Sequence, residues 1–90
     1  MSKKKLRISH TITEHFPECL NTTDVKVIMI GNHELLIENY CGIGEYLEQK
    51  IVVSGRNRKL IIEGDNLLIE YYSKYDLKIS GILHSLRWNS

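Results

Sequence analysis

Apolar residues recur at every second position through much of the chain, which is the period of β-strands. Two such runs open the pattern, at residues 25–30 and 34–40, and both are rich in β-branched or aliphatic side chains. Gly31 and Asn32 separate them and tolerate the positive φ of a tight turn. The pattern therefore predicts a β-hairpin. With a loop of two or four residues, its buried face carries Ile28, Ile30, Leu35 and Ile37.

A second pair of runs, at residues 59–63 and 66–71, flanks Gly64 and Asp65, which together suit a two-residue hairpin turn. Counting outward from that turn places aliphatic side chains opposite one another on a single face. Burial of each such side chain contributes roughly 1.5–3 kcal/mol to stability. The predicted centre of the core is therefore Leu60, Ile62, Leu67 and Ile69.

Further strand signals complete the series at residues 43–47, 49–54 and 77–88. Residues 55–58, GRNR, have the length and composition of a hairpin loop. Gly81 interrupts the last run without another turn residue beside it, which indicates a bulge or a close backbone approach within one bent strand. Short strands separated by turn signals predict an all-β fold. We expect a compact antiparallel β-sandwich, immunoglobulin-like or a meander, that forms a single domain over residues 21–90.

Residues 1–20 form the predicted basic N-terminal tail or extended segment. A solvated chain terminus is the ordinary interpretation of such a segment. The alternative is contact with an anionic lipid or an acidic partner, worth about 1 kcal/mol per basic residue near a charged membrane. Leu6 and Ile8 alternate with polar residues, so a short edge strand is also open. The basic residues of the tail are Lys3, Lys4, Lys5 and Arg7.

The length of 90 residues suits one domain with a modest core. Twelve basic residues against eleven acidic ones leave a formal net charge of +1. A dedicated nucleic-acid binder carries a stronger basic excess, so the charge balance argues against that class. No apolar segment follows the basic start as in a signal peptide, and no run approaches the ~20 apolar residues of a membrane span. We expect a soluble cytoplasmic protein, with membrane association through a partner as an open alternative.

The sequence contains no catalytic or metal-binding motif, so no catalytic, cofactor-binding or metal site is predicted. Its four histidines and two cysteines lack metal-ligand spacings such as CxxC or HxxxH. Cys19 and Cys41 stand 22 residues apart with no signal peptide before them. Such cysteines are expected to be reduced thiols, and a disulfide is the alternative.

Aromatic residues provide the one candidate surface. Tyrosine and tryptophan are enriched at protein–protein interfaces because each combines a large apolar area with a hydrogen-bonding tip. The alternative is that they cap the open ends of the sandwich. Arg56, Arg58 and Lys59 lie in a nearby predicted turn, which leaves a nucleic-acid groove built from stacking and charge as a second alternative. The candidate partner surface consists of Tyr71, Tyr72, Tyr75 and Trp88.

The order of these segments resembles the YabP/YqfC family of small sporulation proteins. The resembling segments read MIGNxxLLIENYxGIxEY, IxV, LIIEGxNLLIEYY and LKISGIL, within residues 25–84. The IENYxGI segment is closest to the YqfC branch. Tyr40 and Cys41 depart from the family pattern, in which a His-Arg pair is common at that turn. The matching residues are Gly31, Leu35, Ile37, Glu38, Asn39, Gly42, Ile43, Tyr46, Leu60, Ile62, Gly64, Leu67, Ile69, Ile79, Gly81 and Ile82.

The resemblance implies a compact β-sandwich and a role in endospore formation, in the cytoplasm of the mother cell. Members of the family are often encoded beside a sporulation membrane protein, which implies a protein partner. No enzymatic activity is known for the family, so the resemblance carries no catalytic residue and no cofactor. The leading hypothesis is a non-enzymatic protein of spore morphogenesis and assembly that acts through protein–protein interaction, with exposed edge strands also permitting a homo-oligomer. The alternative is a small nucleic-acid-binding β-domain.

Overall fold

A computed structural model describes residues 23–89 of the chain. Within that range the fold is all β, as predicted, and every strand pairing is antiparallel. The strands are β1 (Lys26–Ile30), β2 (Glu34–Glu38), β3 (Gly42–Tyr46), β4 (Lys50–Ser54), β5 (Lys59–Tyr72) and β6 (Asp76–Asn89).

These six strands belong to one sheet, in the order β1-β2-β6-β5-β4-β3. The order departs from a plain meander because β2 neighbours β6, which lies at the other end of the described chain. Among the described strands, β1 and β3 form the two edges. The predicted loop over residues 55–58 is confirmed, since β4 and β5 pair on either side of it.

The two long strands are strongly bent. Each contains 14 residues, which would span about 46 Å if straight at about 3.3 Å per residue. The largest dimension of the molecule is only 31 Å. The register between them shifts three times, between Glu63 and Gly64, Asp65 and Leu68, and Ile69 and Tyr71. The second shift lies opposite Gly81, which has a φ of +135°. A Cβ atom there would come within 2.7 Å of Asn66 O and 3.0 Å of Asp65 O. The predicted single bent strand is therefore confirmed, with a close backbone approach at Gly81 and the extra residue of the bulge on β5.

The hairpin predicted at Gly64 and Asp65 is wrong. Both residues lie inside β5, which continues through them and pairs with β6. A two-residue turn and a bulge both invert the alternation of faces, so either one places the same aliphatic side chains together. Asp65 and Asn66 are both exposed where the alternation inverts. The predicted core residues are confirmed as buried, namely Leu60, Ile62, Leu67 and Ile69.

The first hairpin is confirmed, but its predicted faces are partly wrong. Its loop contains three residues, 31–33, and Gly31 has a φ of +53°. An odd loop pairs Met29 with Leu35 and Ile30 with Glu34. Leu35 is buried as expected, whereas Ile30 is exposed on the opposite face. Ile37 likewise is buried and Ile28 is not. One additional loop residue therefore turned Ile28 and Ile30 away from the core and put Val27 and Met29 on the face of Leu35 and Ile37.

Both short hairpins dock on the bend of the long strands. In the β1–β2 loop, His33 O accepts a hydrogen bond from Gly81 N at 3.2 Å. In the β3–β4 loop, Glu48 O accepts one from Leu67 N at 2.8 Å. The backbone groups that the bend releases from the β5–β6 ladder thus find partners in the two loops. The bend is held from both sides.

A single core cluster connects strands on both sides of the bend. Tyr46 of β3 is almost completely buried, and its hydroxyl oxygen accepts a hydrogen bond from Ile69 N at 3.0 Å. The buried apolar residues are Leu35, Ile37, Tyr40, Ile43, Tyr46, Ile51, Val53, Leu60, Ile62, Leu67, Ile69, Leu77, Ile79 and Leu83.

Removing the hydroxyl of Tyr46 is expected to destabilise the domain. In Tyr46→Phe the backbone N–H of Ile69 loses this acceptor inside the core, which costs about 1–3 kcal/mol. Tyr75→Phe is the matched control, because Tyr75 is 58% exposed and water replaces what its hydroxyl loses. We expect its change to stay within about 0.5 kcal/mol. Urea unfolding followed by circular dichroism measures both, and equal midpoints for the two variants would contradict the role of Tyr46.

Candidate partner surface

Three connections between strands meet at the end of the sheet that lies away from the bend. In the β2–β3 connection, Asn39 N donates to Tyr75 O in the β5–β6 turn, and Cys41 N donates to Ser54 O at the end of β4, both at 2.7 Å. Gly55, which follows Ser54, donates from its N–H to Arg58 O at 2.8 Å and closes the β4–β5 loop. We call this surface the loop end; it comprises residues 39–41, 54–58 and 73–75.

The β5–β6 turn at the loop end is held by buried polar contacts. The hydroxyl of Tyr40 donates to Ser73 O at 2.5 Å. The hydroxyl of Ser73 donates a hydrogen bond to the carboxylate of Asp76. The backbone N–H of Ser73 donates a second one to Asp76 O at 2.7 Å. Ser73 is 5% exposed, the bond from Tyr40 is buried, and the bond to Asp76 is partly buried. The turn is thereby fixed in shape and presents the next residues, Lys74 and Tyr75, outward.

The four predicted aromatic residues differ in exposure. Tyr75 is 58% exposed and Trp88 is 45% exposed. Tyr71 and Tyr72 are half-buried, and Tyr72 packs against the core. Adjacent strand residues point to opposite faces, so these two tyrosines do not form a common surface. Tyr75 and Trp88 therefore supply most of the accessible aromatic area of the set.

A cation lies over each of the two exposed rings. Lys74 Nζ is 5.4 Å from the centroid of Tyr75, and Arg58 Cζ is 5.7 Å from the centroid of Trp88. Such contacts contribute about 0.5–1 kcal/mol at exposed sites. Arg58 also belongs to the loop end, which places Trp88 beside that surface. The arrangement offers flat apolar area bordered by positive charge.

The other arginine of this loop, Arg56, forms an ion pair with Asp24, with Nη2 and Oδ1 3.5 Å apart. Its charge is balanced there by an acidic neighbour. The basic residues predicted to contact an anionic partner, Lys3, Lys4, Lys5 and Arg7, lie outside the described residues.

Cys41 at the loop end is disulfide-bonded, and the described residues contain no free cysteine. The expectation of reduced thiols is therefore wrong for Cys41. Pairing between distant cysteines depends on how the fold brings them together, which their separation along the chain does not reveal. The second cysteine of the sequence, Cys19, lies outside the described residues.

Among residues 23–89, no group of three or more histidine, cysteine, aspartate or glutamate side chains is placed to hold a metal ion. His84 Nε2 lies 3.2 Å from the carboxylate of Asp65, with both side chains about half exposed. In the same range no helix is long and apolar enough to cross a membrane.

The exposure of the apolar residues of β1 was not predicted, and Ile28 and Ile30 were expected on the buried face of the hairpin. Ile28, Met29 and Ile30 are 37%, 47% and 41% exposed. Their signal was the run itself: three apolar residues in succession place side chains on both faces of a strand, and an edge strand of a single sheet has only one face toward the core. Sequence patterning does not identify which strand occupies the edge.

The family model of the YabP family matches residues 21–90. The chain belongs to the YabP family. The match covers the six strands in the described part of this YabP-family protein. Comparisons with curated proteins and with solved structures find no match.

The residues that carry the family resemblance mostly determine the fold. Leu35, Ile62 and Ile69 are completely buried, while Gly31 and Gly81 adopt positive φ. Tyr75 and Trp88 are not among the resembling residues. The resembling residues therefore describe the scaffold of this YabP-family protein, and the family match over residues 21–90 also spans Tyr75 and Trp88.

Proposed function

We propose that this YabP-family protein is a non-enzymatic component of spore morphogenesis and assembly that acts by binding a protein partner. The observation that carries the proposal is the family match over residues 21–90. The family is one of small sporulation proteins, and the proposed site of action is the cytoplasm of the mother cell. The IENYxGI segment supports a position nearer the YqfC branch.

The proposed partner surface centres on Tyr75 in the loop end and on Trp88 beside it. Their exposure supports this assignment, as does the fixed turn that presents Tyr75. Aromatic side chains of this kind bury a large area at small entropic cost when a partner covers them. Arg58 and Lys74 border the two rings with positive charge, which favours a partner with acidic residues around an apolar patch. Tyr71 and Tyr72 are half-buried, so they contribute only the exposed parts of their side chains to the proposed partner surface.

The proposed partner is a sporulation membrane protein that exposes such a patch on the cytoplasmic side. Lys3, Lys4, Lys5 and Arg7 would add electrostatic attraction to an anionic membrane surface beside that partner. For the scaffold, we infer that the bent sheet closes on itself as a two-layer sandwich. The hydrogen bond from Ile69 N to Tyr46 across the bend supports this arrangement.

Deletion of the gene from its source organism is expected to reduce heat-resistant spores strongly while vegetative growth stays unchanged. The reason is that a component of spore assembly is needed only while the spore is assembled, and not during vegetative growth. Counting heat-resistant colonies beside the growth rate measures both effects. Normal spores with impaired growth would contradict the proposal and favour the nucleic-acid alternative.

Complementation then tests the surface. Wild-type protein and the control variant Gln49→Ala, an exposed change in the β3–β4 loop at the bend and away from the loop end, should both restore spores. The double variant Tyr75→Ser with Trp88→Ser should fail to restore them while its thermal melting remains cooperative. Full restoration by this variant would place the partner surface elsewhere.

A further inference from the structure

The outer edge of β1 has no strand beside it in the described part of the chain. β1 is the first strand in the sheet order, and β2 is the one described strand that it contacts. In an antiparallel pair each strand directs about half of its backbone N–H and C=O groups away from its partner. Such a row of groups is a template for another strand.

The two edges of the sheet differ in their protection against strand addition. At the β3 edge the register shifts between Ile43 and Glu45, Gly44 interrupts the run, and Glu45 forms an ion pair with Lys50 at 3.7 Å. Bulges and charges of this kind block pairing. The β1 edge has an unbroken register over all five of its residues, and Lys26 is the single charge among them.

β1 also exposes apolar area on both faces. Ile28 and Ile30 point to the outer face, while Met29 lies on the face of Leu35, and all three are more than a third exposed. A neighbouring strand would cover apolar side chains on each face while it saturated the free backbone groups. An edge that is flat, apolar and unpaired is therefore built for pairing rather than protected from it.

We propose that β1 pairs antiparallel with β1 of a second copy of this chain, about a two-fold axis at Ile28. A five-residue strand overlaps completely with itself only when its central residue lies opposite its own copy. Ile28 then faces Ile28, Val27 faces Met29, and Lys26 faces Ile30. The pairs at Ile28 and at Val27 with Met29 are apolar on both sides. Lys26 faces the apolar Ile30, so no two like charges lie directly opposite each other.

Charge placement also favours the second copy. Ile30 pairs with Glu34, so each Lys26 comes within two strand spacings, about 10 Å, of the Glu34 backbone of the second copy. The two Lys26 residues are separated by four residues along the strand, about 13 Å, in addition to one strand spacing. Glu34 of the second copy, whose carboxylate also forms an ion pair with its own Lys78 at 3.4 Å, is therefore nearer to Lys26 than the other Lys26 is. This inference concerns self-association and does not depend on the proposed function.

Cysteine cross-linking in the full chain tests this register. In Ile28→Cys the two introduced thiols face each other at the separation that a disulfide requires, so oxidised glutathione should convert most of the protein to a covalent dimer. Lys26→Cys is the matched control on the same strand, because its two copies are too far apart to bridge. Wild-type protein under the same oxidant shows any contribution from the native cysteines.

Light scattering supplies the second measurement. We expect a mass of about twice 10.5 kDa for the wild type, a monomer for Ile28→Lys, and a retained dimer for Glu45→Lys on the other edge. Cooperative melting of each variant confirms that it is folded. A monomeric wild type with no cross-link in Ile28→Cys would overturn the proposal and would favour residues preceding β1 as the occupant of its edge. A dimer lost in Glu45→Lys but kept in Ile28→Lys would overturn it as well.

Discussion

Replacing Ile62 with aspartate is expected to unfold the domain. Ile62 is completely buried in the first half of β5, between Ile51 of β4 and Leu86 of β6, so the change removes roughly 1.5–3 kcal/mol of apolar burial. It also introduces a carboxylate that lacks solvent, which costs several kcal/mol more. Domains are stable by only about 5–15 kcal/mol, and a chain of 90 residues lies toward the low end. The loss therefore consumes most or all of the free energy of unfolding.

Ile61→Asp is the control for this prediction. Ile61 is the adjacent residue of the same strand, faces the opposite side and lies across from Arg87 of β6. It is only partly buried, so its aspartate remains hydrated. Thermal melting by circular dichroism should show a cooperative transition for Ile61→Asp and none for Ile62→Asp. A melting curve of wild-type form in Ile62→Asp would show that the assigned core face is wrong.

Gly64→Ala is expected to lower the free energy of unfolding by about 3 kcal/mol, the upper end of the range for overpacking. A Cβ atom at Gly64 would come within 2.0 Å of Ile82 O and 3.1 Å of Ile82 C. Both are backbone atoms of the paired strand, so no side-chain rotation relieves the clash. The bend itself would have to open, which would disturb the register of β5 with β6.

Gly44→Ala is the control for Gly64→Ala. It replaces a glycine of the same sheet that no backbone atom approaches closely. The nearest atoms to a Cβ at Gly44 lie 3.9 Å away, on Val52. Alanine there should change stability by no more than about 1 kcal/mol, in the stabilising direction, because glycine loses more backbone entropy on folding. Chemical unfolding of both variants gives the comparison. Equal losses would show that the strands do not approach each other at Gly64 as described.

Much of the fold was predictable from sequence because it depends on local properties. The two-residue period and the β-branched runs locate strands, and glycine at a loop locates a turn. These signals correctly placed the first hairpin, the 55–58 loop and the close backbone approach at Gly81. They also identified Leu60 and Ile69 as core residues, although the turn assumed between them was wrong.

The candidate surface was only partly predictable. Aromatic residue types marked Tyr75 and Trp88, and the structure places both at exposed positions. The cations over their rings and the buried turn that presents Tyr75 result from contacts among several loops. The open edge at β1 was missed, because burial of an apolar strand depends on its place in the sheet order.

By itself the sequence determined the all-β class, the approximate positions of the strands, and the family resemblance that the match over residues 21–90 supports. Tertiary structure decided which face of β1 is exposed, that Gly64 lies in a bend rather than a turn, and that Cys41 is disulfide-bonded. The reason is physical. Period and turn chemistry act between neighbouring residues, whereas the parity of a loop, the continuation of a strand and the meeting of two cysteines depend on hydrogen bonds and packing between distant parts of the chain.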